Sequence, residues 1–354
     1  MGVAQQVSLD LLRVSGQMKY KRQHIVSNCY LTAWLEPVPP SGQQRALWKF
    51  AKNGSGAHRR SPKKTFTETD RYTVILKNGE RDLKIEHRLD QIEHAYSLVF
   101  RCIQRREKLN AWDKARLAVF TAAMMGRTRR RADHWKEQWT KVREDVFAYQ
   151  GGSEASEASE SVEDNSKLPP GAVRVPAADI NQLLLNANPD FVATSIEISA
   201  PILFEMDLSF YSTDDPIGFI TSDEPCIVHN PTAYRYDPMM RGPGLLQQDV
   251  QVLLPLSPRL LVVFSHTRTY PYVTPLTTEQ TNDINRMLIH TAHEEIVSWQ
   301  PEVREEWFSF EDQPLPADAW KPDQGDAGDI FTPIEGPKMV DLRQYPKDDP
   351  FQRR

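Results

Sequence analysis

Apolar residues recur at spacings of three and four along the middle of the N-terminal half. Ile85, Leu89, Ile92, Tyr96, Val99 and Ile103 share one stripe and predict a long amphipathic helix. A second helix is expected from Asn110, a capping residue with Asp113 three positions on, and its inner face is read as Trp112, Leu117, Phe120, Ala123 and Met124. A third carries Trp135, Trp139, Val142 and Val146. Before them, Tyr30 to Leu35 forms a short amphipathic stretch ended by Pro37, Pro39 and Pro40. Ala46–Ala51 and Tyr72–Leu76 read as strands, with Asn78-Gly79 as a turn.

The texture changes in the second half. A helix is expected over 177–185, Asn188-Pro189 punctuates it, and Phe191–Phe204 continues as helix. Leu208–Tyr211, Phe219–Thr221, Cys226–His229, Val250–Leu256 and Leu260–Ser265 are short, β-branched or aromatic, and bounded by turn residues, so they predict a mainly antiparallel sheet. Thr277 and Gln280 have capping-box spacing ahead of a last helix with Ile284, Met287, Leu288 and Thr291 inside. The fold expected is α+β: a helical N-terminal portion packed with the sheet and a C-terminal helix. The organisation expected is a lead-in at 1–20 and one domain over 21–312. That domain has a helical portion at 80–150, an acidic low-complexity loop at 151–167, a sheet portion at 205–266 and a final helix at 277–299. An extended tail follows at 313–354. No internal repeat is present.

Charge is uneven. Residues 1–150 hold 29 Lys and Arg against 15 Asp and Glu, a balance of +14, and residues 151–354 balance at −19. Either the halves attract one another or the first presents a basic face to a phosphate-rich partner; the former is the commoner arrangement. Cys29, Cys102 and Cys226 are odd in number and none forms a CxxC, which favours a reducing, cytoplasmic setting over a disulfide framework or structural zinc. No apolar run is long enough to span a bilayer, and Asp10 and Arg13 interrupt the apolar opening where a signal peptide needs continuity. No membrane partner is expected, and the oligomeric state is left open.

The order of several short motifs resembles the domain-of-unknown-function 4238 family. Lys21-Arg22-Gln23-His24, Tyr30-Leu31 and Trp34 resemble its opening, and Leu47–Phe50 its early strand. Glu93 lies in its first long helix, and Ala118–Arg127 resembles its F-x-A-x-x-x-R helix end. Phe219–Pro225 is similar to its most distinctive segment, followed in order by Leu254–Pro258 and Asn285. The match runs from about Lys21 to Trp299. Glu224 stands where the family usually has Asn, and Ile25-Val26-Ser27 where Val-Pro commonly follows Gln-His. The resemblance brings no activity with it.

These motifs supply the candidate site. His24 suits acid/base work or metal ligation near neutral pH, against the plainer reading of a ring bonded to a backbone carbonyl. Asp223 suits metal ligation or orientation of a histidine, against an Asx/ST turn in Thr221–Pro225. Arg127 suits phosphate binding, against simple complementarity to a helix C-terminus. Gln23, Ser222, Glu93 and Asn285 are the candidate substrate-binding residues. His290 and His293 are three apart and could share a metal on the last helix. No GxSxG, Walker A, GxGxxG or HExxH occurs. Two functions follow. One is a phosphodiester-cleaving, nuclease-type effector in a bacterial defence or toxin setting, with nucleic acid as candidate partner, a divalent metal as candidate cofactor, and His24, Asp223 and Arg127 meeting in one site. The other is a non-catalytic binding or sensor protein in which those segments are structural pins.

Overall fold

Short strands come first and the long helices follow. A computed structural model describes residues 22–149, 181–182, 184–267 and 273–309. From the N-terminus, β1 (Gln23–His24), α1 (Asn28–Leu31), β2 (Leu47–Ala51), β3 (His58–Arg60), β4 (Thr67–Glu68), β5 (Val74–Ile75) and β6 (Arg81–Asp82) precede α2 (Lys84–Gln104), α3 (Ala111–Gly126) and α4 (Arg129–Tyr149). The second series is α5 (Ala187–Glu205), β7 (Asp207–Thr213), β8 (Thr221–Ser222), β9 (Ile227–His229), β10 (Gln251–Ser257), β11 (Leu260–Ser265), β12 (Val273–Leu276), α6 (Thr278–Thr291) and β13 (Glu295–Ser298). The chain is therefore α+β. Among the described residues no helix is long and apolar enough to cross a membrane.

The main sheet has five strands in the order β12-β7-β11-β10-β9, antiparallel except for the β12–β7 pair. Its strands read as continuous apolar runs because both faces are covered. Val252, Leu254, Val262 and Phe264 join one core with Phe120 and Leu203 of the helices. Leu253, Leu261 and Val263, the alternate residues, join a second core with Phe219, Leu288, Ile296 and Trp307. A second sheet, β3-β2-β13-β8, draws strands from both ends of the described chain. The Asn78-Gly79 turn joins β5 to β6, with Gly79 in the left-handed region at φ 79°.

Helix α3 is buried on almost every side, since α2 and α5 flank it. Asn110 caps it through the Trp112 and Asp113 amides, and Asp113 returns a bond to the Asn110 amide. The same reciprocal box forms between Thr277 and Gln280 at α6. Pro189, expected to break the chain, sits in the first turn of α5, where a missing N–H costs nothing. Trp112 and Val142 were expected inside but are exposed, because each lies on the solvent side of its helix. The final helix stops at Thr291, well short of 299, and Glu295–Ser298 becomes β13, pairing with β2 and β8. His293 thus leaves the helix that carries His290. Lead-in 1–20, loop 151–167 and tail 313–354 lie outside the described residues, as does the Val146 side chain. Of the helix expected over 177–185, residues 181–182 and 184–185 are described and helical.

Gly126 lies where α3 and α5 pack closely. A Cβ there would lie 2.9 Å from both Cβ and Oγ of Ser195. Gly126→Ala, which in an open helix would gain about 1 kcal/mol of propensity, is instead expected to destabilise by about 1–2 kcal/mol through overpacking. Chemical denaturation checks this, and adding Ser195→Gly should recover most of the loss.

Candidate functional site

Alternation along β1 turns Gln23 inward and leaves His24 half-buried. Gln23 is wholly committed: its Oε1 accepts the Tyr72 amide at 2.5 Å and its Nε2 donates to Thr73 Oγ1 at 3.3 Å. The strand pairs with β4, placing Gln23 opposite Glu68 and His24 opposite Thr67.

Arg127 caps the C-terminus of α3 and is 2% exposed. Its Nη1 donates to Glu93 Oε1 at 2.7 Å, its Nη2 to the His24 carbonyl, and its Nε to Tyr72 OH at 3.4 Å. The guanidinium carbon lies 5.4 Å from the centre of the Tyr72 ring. Burial opposes its charge, but Tyr72 and Glu93 outweigh burial and hold its pKa above the ordinary value. Arg127 thus ties β1, α2 and the Tyr72 loop to the end of α3. All three of its nitrogens are engaged inside the protein, so it organises the site instead of presenting a fork to a phosphate.

The His24 ring lies against the Pro62–Lys64 turn. Its Nε2 is buried and has no hydrogen-bond partner. Burial lowers its pKa most; Glu93 raises it, Arg127 lowers it, and backbone hydrogen bonds to Pro62 and Lys63 raise it, with a net shift downward. The ring is therefore neutral at pH 7. Arg22, Lys63 and Lys64 are exposed around it, and no ion pair among the described residues engages them. Cys29 Sγ lies 3.0 Å from Ser27 Oγ and donates to the Glu93 carbonyl at 3.6 Å. Burial first, then Glu93, pushes this thiol up, so it stays protonated.

Glu86 completes the group from two turns earlier on α2. It is 7% exposed, and its Oε2 is buried without a partner. Burial raises its pKa to about 7; Arg127 works against that, and Asp90 and Glu93 reinforce it. Glu86, Lys63 and Lys64 were not among the candidates read from sequence. Glu86 was findable, since Glu86 and Glu93 flank the apolar stripe seven positions apart, on one helix face.

Asp223, Ser222 and Asn285 have other partners, and none of their hydrogen bonds goes to His24 or Arg127. Asp223 is 1% exposed. Its Oδ1 accepts the His293 amide at 2.9 Å, and its Oδ2 accepts the amides of Glu294 and Glu295 at 2.8 and 3.3 Å. Burial raises its pKa and these three bonds pull it back only in part. Ser222 Oγ accepts the Glu224 amide at 3.1 Å, an ST turn. Asn285 accepts the Ile220 amide at 3.1 Å and donates to the Gly218 carbonyl at 2.9 Å. The three hold the 218–224 loop to α6 and β13. Arg129 links this group to the first: its Nε meets Glu68 at 2.5 Å and its Nη1 meets Glu294 at 2.9 Å. The sequence-based meeting of His24, Arg127 and Asp223 thus reduces to His24, Arg127 and Glu93, with Gln23 beneath them. Among the described residues no group of three or more His, Cys, Asp or Glu side chains is placed to hold a metal ion.

Two stability measurements follow. Asp223→Ala leaves three part-buried amides without this acceptor and is expected to cost about 2 kcal/mol. That is a fall of several degrees in Tm, and an unchanged Tm would remove the anchoring role. Glu86 acts in the opposite sense. Folded, it keeps its proton up to about pH 7, whereas an unfolded glutamate releases it near 4.5, so stability declines as pH rises through that window. Glu86→Gln should match the wild type at pH 4 and exceed it at pH 8 by up to about 3 kcal/mol, measured by urea denaturation at both pH values.

The comparisons with known proteins agree with the arrangement of motifs. The family described as "Protein of unknown function (DUF4238)" matches residues 22–301, a span that includes every residue discussed in both groups. No curated protein and no solved structure matches the chain. The match covers well over half of the 354 residues, and the chain belongs to the DUF4238 family.

Proposed function

We propose that the chain hydrolyses a phosphodiester, with His24 as general base and nucleic acid as the substrate class. The observation that carries this reading is the His24 Nε2: a buried ring nitrogen without a partner, on a neutral imidazole beside the Glu93–Arg127 ion pair. A ring nitrogen with no donor bonded to it has its lone pair free to take a proton when substrate opens the site, and its lowered pKa keeps it unprotonated at neutral pH. Lys63 and Lys64, exposed on the turn against the ring, supply the positive charge that a phosphodiester needs. The excess of basic residues over 1–150 supports the same partner. Asp223 has no chemical part in this scheme. Glu93 and Arg127 position His24.

The test uses purified full-length chain with a single-stranded oligonucleotide and with bis(4-nitrophenyl) phosphate. His24→Ala and His24→Gln are expected to lower kcat/KM by about a hundredfold or more. Lys63→Ala with Lys64→Ala should raise KM and flatten the salt dependence. The rate should rise with pH along an acid limb lying below 6.5, where His24 loses its proton. Undiminished cleavage in both His24 variants sinks the assignment.

A second reading, a non-catalytic binding protein, draws on the loop after β9. There Met239 is 93% exposed, with Met240 and Leu246 also exposed. Absence of any cleavage by the wild type favours it.

A further inference from the structure

We propose that Arg22, Arg60, Lys63 and Lys64 form a binding track for single-stranded nucleic acid that leads its backbone across His24. This rests on the reading of His24 as base and deepens it, assigning the surface that holds the substrate and the form of substrate it holds. The first observation lies in the chain. From Pro37 to Thr67 there is no Asp or Glu, while seven Lys and Arg fall there. The fold divides these cations into two sets. Arg45 donates to the Leu35 and Glu36 carbonyls, and Lys52 to those of His290 and Ala292. Lys49 pairs with Glu295, and Arg59 with Glu36. Arg60, Lys63 and Lys64 remain exposed, and no ion pair among the described residues engages them. These three run from the end of β3 into the Pro62–Lys64 turn, the turn that meets the His24 ring. Their backbone spans at most about 13 Å. Arg22 extends the row from the other side. Gln23 is turned inward, so alternation puts Arg22 and His24 together on the outward side of the chain. His24 thus has exposed cations on its own strand and on the turn packed against it.

Charge on an edge strand also keeps that strand from pairing with another chain. That purpose does not account for Arg22, Lys63 and Lys64, which lie off β3 and beside an imidazole whose Nε2 has no hydrogen-bond partner. A row of phosphates does account for them, because each Lys or Arg that meets a phosphate releases condensed counterions and that release drives binding. The track suits one strand. Lys49 and Lys52, the cations of the neighbouring β2 ribbon, are already taken by Glu295 and by the His290 and Ala292 carbonyls, so no second row of free charge faces the opposite backbone of a duplex. The aromatic side chains of the same segment, Trp48, Phe50 and Phe66, are packed into the two cores and offer no face on which a base can stack. Contacts confined to the backbone hold and position a strand without telling sequences apart.

The experiment separates binding from chemistry. Fluorescence anisotropy of a labelled oligothymidylate is measured on full-length His24→Gln, with His24→Asn as the second background, from about 50 to about 200 mM NaCl. With four phosphates contacted, log K should fall against log salt with a slope of about −3. Arg22→Ala and Arg60→Ala, each made in that background, should each reduce the slope by about 0.7 and weaken binding at the lowest salt by about tenfold. Arg45→Ala removes a cation of the same segment that is already bonded to backbone carbonyls, and should leave both quantities unchanged. Oligoadenylate should bind about as tightly as oligothymidylate, and a duplex of the same length more weakly. No binding at the lowest salt, an Arg45→Ala loss equal to that of Arg60→Ala, or tighter binding of the duplex overturns the track. None of these outcomes touches the His24 assignment, which the cleavage rate of the wild type decides on its own. A chain that binds with the expected slope and cleaves nothing keeps the track and loses the base.

Discussion

A guanidinium taken out of water must have its charge and its donors answered, and Arg127 finds those answers on three separate elements. Glu93 supplies the counter-charge from α2, the His24 carbonyl an acceptor from β1, and Tyr72 both a hydroxyl and a ring face. Removing one partner from such a buried pair leaves an uncompensated charge, a far greater loss than a surface pair represents. The position of β1 therefore depends on this one side chain. A two-residue strand has little hold of its own, and Arg127 together with the Gln23 clasp fixes where the His24 ring sits. Burial raises the Glu86 carboxyl on the same helix to about 7, and the charge of Arg127, bonded to Glu93, offsets only part of that.

Much of the framework was legible in the chain. The α2 stripe, both capping boxes, the Asn78-Gly79 turn and the apolar strands β7, β10 and β11 follow from local spacing, and local spacing is what a sequence displays. Trp112 was misplaced because a bulky residue in the first turn of a helix can face solvent without loss to the core. The end of α6 was missed because the adjacent β-branched pair Ile296-Val297 was read as more helix. Such a pair also suits a strand, and β2 and β8 were there to receive it.

The site was legible in its residue types and less so in their partners. His24, Gln23, Glu93 and Arg127 do come together. Asp223 carries the right chemistry for catalysis, but its oxygens meet amides 70 and more residues further on, which no local pattern announces. In the same way the Pro62–Lys64 turn that meets the histidine is distant from it along the chain, and no local pattern links the two.

The position of β13 in the second sheet bears on how the molecule is made. Glu295–Ser298 pairs with Trp48–Ala51 on one side and Thr221-Ser222 on the other, so the sheet cannot close until the segment through Ser298 has left the ribosome. Before then β2 has an open edge and half of the second core has no cover. Pairings so distant in sequence carry a loop-closure cost and slow the search. The nascent chain must wait with that edge exposed, the condition under which a polypeptide is most open to aggregation and most dependent on chaperones.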